Sequence, residues 1–299
     1  MSVHRVLRAI LRPWQAWPVA AWWVAFFIIP LAWIVLASFG SRPEVGQGGV
    51  VALTDPSLAN YATAASDIFF NVFVGTIRTA GLGALLCLLV GFPVAYAIAV
   101  HVPSAWRGFT LFLLILPFWT SFLLRTFAWR IILAPEGSLS QAMQAVGVIT
   151  GPLLILDTTG AVQIGIVYNY LPIMILPIYV ALERIDRTLV AASMDLGAPP
   201  LATLANITLP LAMPGILGGL LMTFILAAGD YVVPTILGGT KGLMAGNLIA
   251  TQILSAQNIP VGSAMASLLV LFICLVIALV GASLLVTSRL IRFGRRLAL

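Results

Sequence analysis

Charge is scarce in this chain, and so are the residues that do chemistry at neutral pH. Only 8% of its 299 residues are Asp, Glu, Lys or Arg, and histidine and cysteine occur twice each. An ordinary soluble domain carries about 25% charged residues, so that class is excluded. His4 and His101 are too few for a histidine cluster, an H-E-x-x-H metal site or a Ser/His/Asp set, and no G-x-S-x-G occurs. The phosphate-binding G-x-x-x-x-G-K-[ST] loop is also missing. "GGTKG" at Gly238–Gly242 has glycines and a lysine without the spacing or the hydroxyl, so this chain is not expected to be an enzyme or to hydrolyse ATP. Cys87 and Cys274 each lie in an apolar run, where cysteine serves as a small hydrophobe, and no disulfide is expected.

What the chain has instead is apolar length. Hydrophobic residues make up 61% of it and the mean hydropathy is +1.11, so the solvent for most of it is lipid. Crossing about 30 Å of hydrocarbon takes roughly 20 apolar residues as a helix. Six windows qualify: Val19–Ser38, Phe69–Val100, Phe109–Leu133, Ala161–Leu182, Leu211–Leu237 and Ser263–Thr287. The gaps between them are too short to bury a separate core, which predicts one all-α, polytopic membrane domain over 1–299 with a basic tail at 1–18. The first window is long and followed by five more, so it reads as an uncleaved helix.

Arginine sets the orientation. Arg5, Arg8, Arg12, Arg107, Arg184, Arg187, Arg289, Arg292, Arg295 and Arg296 fall on one side of this scheme. The opposite loops hold Arg42 and Lys241 among Glu44, Asp55, Asp67, Glu136 and Asp157. Positive charge is retained in the cytoplasm, which predicts both termini there. The net charge of +6 is therefore a topology signal, and no nucleic-acid partner is expected.

The segment between the fourth and fifth windows, 184–210, is of another kind. In "ERIDRTLVAASMDLGAPP", Asp186 or Thr188 can cap a short helix, Gly197 can stop it, and Pro199–Pro200 bar its continuation. "AASMDLGAPPLATLANITLP" resembles the E-A-A-x-x-x-G…I-x-L-P signature of permease subunits of binding-protein-dependent ATP-binding cassette importers. The resemblance lies at Ala191, Ala192, Gly197, Ile207, Leu209 and Pro210, with Val190 read in the place of the glutamate. Four further stretches, Gly75–Ala99, Leu111–Leu133, Gly165–Asp186 and Gly229–Ile249, look like the first permease of spermidine/putrescine importers.

The resemblance implies a type I importer permease of six transmembrane helices in a bacterial inner membrane. Its implied partners are a second homologous permease, two ATPase subunits and an extracytoplasmic binding protein. It also implies that this chain binds no cofactor, ATP and Mg belonging to the ATPases. The short helix, with Asp195 among its residues, then docks in an ATPase cleft and couples its closure to the spans. The alternatives are the same machine carrying an opine, an amino acid-like or another zwitterionic or anionic solute, and, in a different class, an ATP-independent secondary transporter. No internal repeat supports the latter.

A charge within a span is a functional candidate by default. Asp230 falls near the outer end of the fifth window, suited to a polyamine delivered from outside. Tyr231, Trp119, Tyr168 and Tyr170 offer ring faces to an ammonium group, although packing is the commoner role of such rings. Arg78 and Arg125 would repel a cation. Because the related permeases carry basic residues there, the resemblance makes them scaffold charges, paired with Asp67, Asp230 or backbone carbonyls.

Overall fold

The computed structural model describes residues 13–43, 50–53 and 55–297. Among these the chain is helical apart from turns and one isolated antiparallel bridge, Ser41 with Ala52. His4, Arg5, Arg8, Arg12 and Glu44 lie outside the described residues, and of Arg289, Arg292, Arg295 and Arg296 only the helical backbone is described. The chain forms two compact units, one from Met1–Asp67 and Ile249–Val276, the other from Ile68–Leu248 and Ile277–Leu299.

In the first unit α1 (Pro13–Trp23) runs through a π turn, Val24–Ile28, into α2 (Ile29–Ser38). Trp17–Ser38 is apolar enough to cross a membrane, yet none of its most apolar stretch is buried in protein, as suits a helix facing lipid. Its end is tied down by α3 (Ala59–Ala64): Asn60 Nδ2 donates to Ser38 O at 2.9 Å and to Gly40 O at 2.7 Å.

The second unit opens with α4 (Asp67–Val100), whose 34 residues would run roughly 50 Å and so exceed the hydrocarbon thickness. The next expected span, Phe109–Leu133, is not one helix. It is α5 (Ser104–Ile115) with a 3-10 turn at Leu116–Trp119, then α6 (Phe122–Ile132), and the two halves are bent by 82°. Pro117 cannot donate a helical hydrogen bond, and Thr120 and Ser121 adopt extended backbone, so the helix must restart at Phe122. After α7 (Ser138–Ala145) comes α8 (Thr159–Glu183), started by Thr158 Oγ1, which accepts from Ala161 N. Then follow α9 (Arg187–Asp195), α10 (Pro200–Thr203), a π turn at Leu204–Thr208 and α11 (Leu209–Gly229).

The fifth expected span also stops short. Helix ends at Gly229, Asp230 is extended, and a π turn occupies Pro234–Gly238. Beyond lie α12 (Ala245–Ala250) and α13 (Ile259–Leu297). Five of the helical stretches are long and apolar enough to cross a membrane, and the bent pair α5–α6 makes a sixth crossing if it spans as one.

The centre of the second unit is α8. Its Ile166, Met174, Ile175 and Ile178 are fully buried, and α11 packs along it where Gly215 and Gly219 allow the backbones to meet. A Cβ on Gly219 would stand 3.1 Å from the Met174 carbonyl oxygen. Small residues at such crossings are how helices associate in lipid, where no hydrophobic drive separates protein from solvent.

Candidate functional site

The stopped helix is built by local hydrogen bonds. Asp186 is its cap, Oδ1 accepting from Thr188 N at 2.9 Å, and these bonds to the charged form hold the carboxyl below the usual carboxylate range. At the other end Gly197 N donates to Met194 O and Ala198 N to Ser193 O, with Gly197 at φ +84°, the paired closure of a Schellman motif. Beyond the prolines, Thr203 Oγ1 lies 3.0 Å from Ser193 Oγ. Leu196 is 89% exposed and Leu201 78%, while Ala191, Ala192 and Asp195 also face outward. Ile207 and Leu209 are half-buried and Pro210 is exposed at the start of α11.

Gly197 as the stop fixes the register of the signature and corrects one assignment. Counting back past Met194, Asp195 and Leu196, the three signature residues are Ala191, Ala192 and Ser193. The glutamate's place is therefore held by Ala191, not Val190. Ala191 lines a cavity of about 240 Å³ together with Tyr96, Arg107, Glu183, Arg187 and Met194.

The second candidate region surrounds the two broken helices. Asp230 is buried, and both of its oxygens are occupied. Oδ1 accepts from Val232 N at 2.8 Å and Val233 N at 3.3 Å, and Oδ2 accepts from Tyr170 Oη at 3.0 Å. It thus holds the break after α11 and ties it to α8. Tyr168 sits between Phe118 and Trp129, with ring centroids 5.7 and 5.4 Å away, and Phe122 packs on Tyr170. Trp119 and Tyr231 are exposed, at 73% and 50%.

A cation already occupies the aromatic face. The Arg125 guanidinium lies 4.8 Å from the Phe118 ring centre and 6.0 Å from that of Phe122, and its Nη1 donates to Pro117 O at 3.2 Å. Its Nε is buried without a partner. The expected pairing with a carbonyl is therefore present, whereas neither Asp67 nor Asp230 pairs with an arginine among the described residues. Arg78 is exposed and makes no ion pair among them.

Arg130, which the sequence shows as another charge in or near a span, reaches Asp157 at 3.5 Å and the Ile236 carbonyl; sequence reasoning missed these partners and the ring set Phe118, Phe122 and Trp129. The spacing of Phe122, Arg125 and Trp129, three and then four residues apart on one helical face, was the available signal. Among the described residues no three His, Cys, Asp or Glu gather into a metal site.

The family described as binding-protein-dependent transport system inner membrane component matches residues 91–292. The spermidine/putrescine transport system permease protein PotB of Escherichia coli (strain K12) is 37% identical over 246 residues, covering 82% of this chain and 88% of that one. PotB of Haemophilus influenzae is 35% identical over 257 residues, covering 86% and 88%. A bacterial ABC transporter involved in the import of the acidic polysaccharide alginate superposes with a TM-score of 0.69 at 14% identity, over 93% of this chain and 98% of that one, a likeness of fold.

Proposed function

This chain belongs to the family of binding-protein-dependent transport system inner membrane components, and on that premise we propose that it is a permease subunit of an ATP-driven importer of polyamines. The observation that carries the substrate class is the identity to permeases named for spermidine and putrescine, extending over 82% of the chain. The chain lies in a bacterial inner membrane with both termini cytoplasmic, beside a second permease. A binding protein delivers the solute, and two ATPase subunits, which hold ATP and Mg, press on α9. ATP drives the cycle only by binding the two conformations unequally. The exposed rings of Trp119 and Tyr231, each beside a helix break, are the faces open to an ammonium group. Asp230 acts chiefly by fixing the break next to Tyr231.

The test is uptake of labelled spermidine by the complete assembly in liposomes, with the ligand of the purified binding protein identified by mass spectrometry. Spermidine in the binding protein, and ATP-dependent uptake that survives Arg125→Gln, are the expected results. Arg125 supports a second reading, because its buried Nε has no partner and could meet a carboxylate. On that reading the solute is zwitterionic or anionic, the binding protein holds no polyamine, and Arg125→Gln abolishes transport.

A further inference from the structure

Arg187 stands where helix electrostatics disfavour it. It is the first residue of α9, at the positive end of that helix, where a cation gains nothing and an acid is preferred. Its guanidinium does not stay there. Nη2 donates at 3.1 Å to the carbonyl of Ala99, one residue from the end of α4. That carbonyl is among the last of a 34-residue helix, which have no partner within it and carry its negative pole.

Two neighbours converge on the same turn. Arg107, on α5, donates from Nε to Val102 O at 3.0 Å, and its Nη1 lies 3.7 Å from Glu183, the last residue of α8. The stopped helix is thus joined to the spans in three places: covalently to α8 through Arg184–Asp186, covalently to α11 through residues 196–208, where Ser193 Oγ lies 3.0 Å from Thr203 Oγ1, and through the Arg187 guanidinium to α4. Between the α8 and α4 junctions lies the cavity of about 240 Å³, lined by Tyr96 and Val100 of α4 and by Val190 and Met194 of α9.

We propose that Arg187 is the strut that carries a displacement of α9 to α4, so that α4 moves with α8 and is not left behind. This deepens the importer reading and rests on it. Arg187 is a positioning residue: it meets neither solute nor nucleotide, and a rigid charge-assisted bond to a backbone carbonyl transmits movement where apolar contact over a cavity does not.

The experiment uses the complete assembly in liposomes and measures spermidine uptake, ATP hydrolysis and its stimulation by the binding protein. Arg187→Met keeps the aliphatic stem and removes every donor, while Arg187→Lys keeps one. The expected result is that Arg187→Met retains its ATPase subunits and basal hydrolysis within about twofold, loses about tenfold in uptake per ATP and in stimulation, and is largely rescued in Arg187→Lys. Unchanged uptake per ATP in Arg187→Met overturns the strut. Loss of the ATPase subunits from Arg187→Met also overturns it, because the residue would then build the docking surface. Should the wild-type assembly take up no spermidine, the polyamine reading fails alone, and stimulation by the binding protein still decides the strut.

Discussion

The stopped helix and the broken-helix region differ in how far along the chain the bonds that set their backbone reach, although Arg187 of α9 also bonds Ala99, 88 positions away. Around α9 the cap joins Asp186 to Thr188 and the stop joins Gly197 to Met194, all within a few positions. Around Asp230 the bond from Tyr170 spans 60 positions, and the one from Arg130 to Ile236 spans 106. The cap and the stop of the first region are set by local bonds. The second exists only once α8, α6 and the segment after α11 have met. A local element can be moved as a unit by an outside force, whereas a long-range knot resists change at every strand of the knot.

The largest expected effect breaks the knot. Asp230→Ala leaves the Val232 and Val233 amides without their acceptor in a buried site and the Tyr170 hydroxyl with only its longer contact to Leu226 O at 3.4 Å, at a cost of about 3 kcal/mol. The variant should lose most folded protein from detergent extracts and unfold at clearly lower temperature. Tyr170→Phe removes one donor of the three and should cost about 1 kcal/mol. Equal losses from the two variants would mean that the tie to Tyr170 carries the cost and the two local amide bonds add little.

Gly197→Val probes the other side of the comparison. Nothing lies within 4 Å of where its Cβ would stand, so no clash arises. The cost is conformational, about 1–2 kcal/mol for a side chain held at φ +84°, and it falls on the stop alone. Thermal unfolding should barely change while uptake by the assembly falls severalfold. A large drop in unfolding temperature would show that the stopped helix is not the local element its bonds describe.

The same difference in range explains what could be read without coordinates. The cap, the left-handed stop and the proline block of α9 are written in consecutive residues, and each stands where the pattern put it. The apolar runs fall on the five helices long and apolar enough to cross and on the bent pair α5–α6, because lipid imposes a length. Pro117 and Pro234 permit kinks, but the full breaks at Thr120 and Asp230 went unread, since hydropathy is blind to backbone direction. Asp230 looked like a solute ligand because an acid in a span is costly. Its amide and tyrosine partners, which relieve that cost, come partly from a distant helix. The bond of Arg125 to a backbone carbonyl was among the expected pairings, but its seat on Phe118 depends on the bend.

The smallest expected effect sharpens the local side of the comparison most. Ala191→Glu restores an acid at the position the signature gives to glutamate, four residues after Arg187 and therefore on the same face of α9. The cavity of about 240 Å³ beside it has room for the side chain. With the cation on the amino-terminal side the pair is poorly oriented, and such exposed pairs are worth only about 0.2–0.5 kcal/mol, so the carboxylate can share the guanidinium with the Ala99 carbonyl without displacing it. Uptake should fall by less than about twofold. The informative measurement is the cycle with Arg187→Met: if the new glutamate acts by drawing on the strut, its effect vanishes once the guanidinium is gone. An effect of Ala191→Glu that persists in the Arg187→Met background means the acid reaches something outside this chain, and the outer face of α9 then reads charge as well as shape.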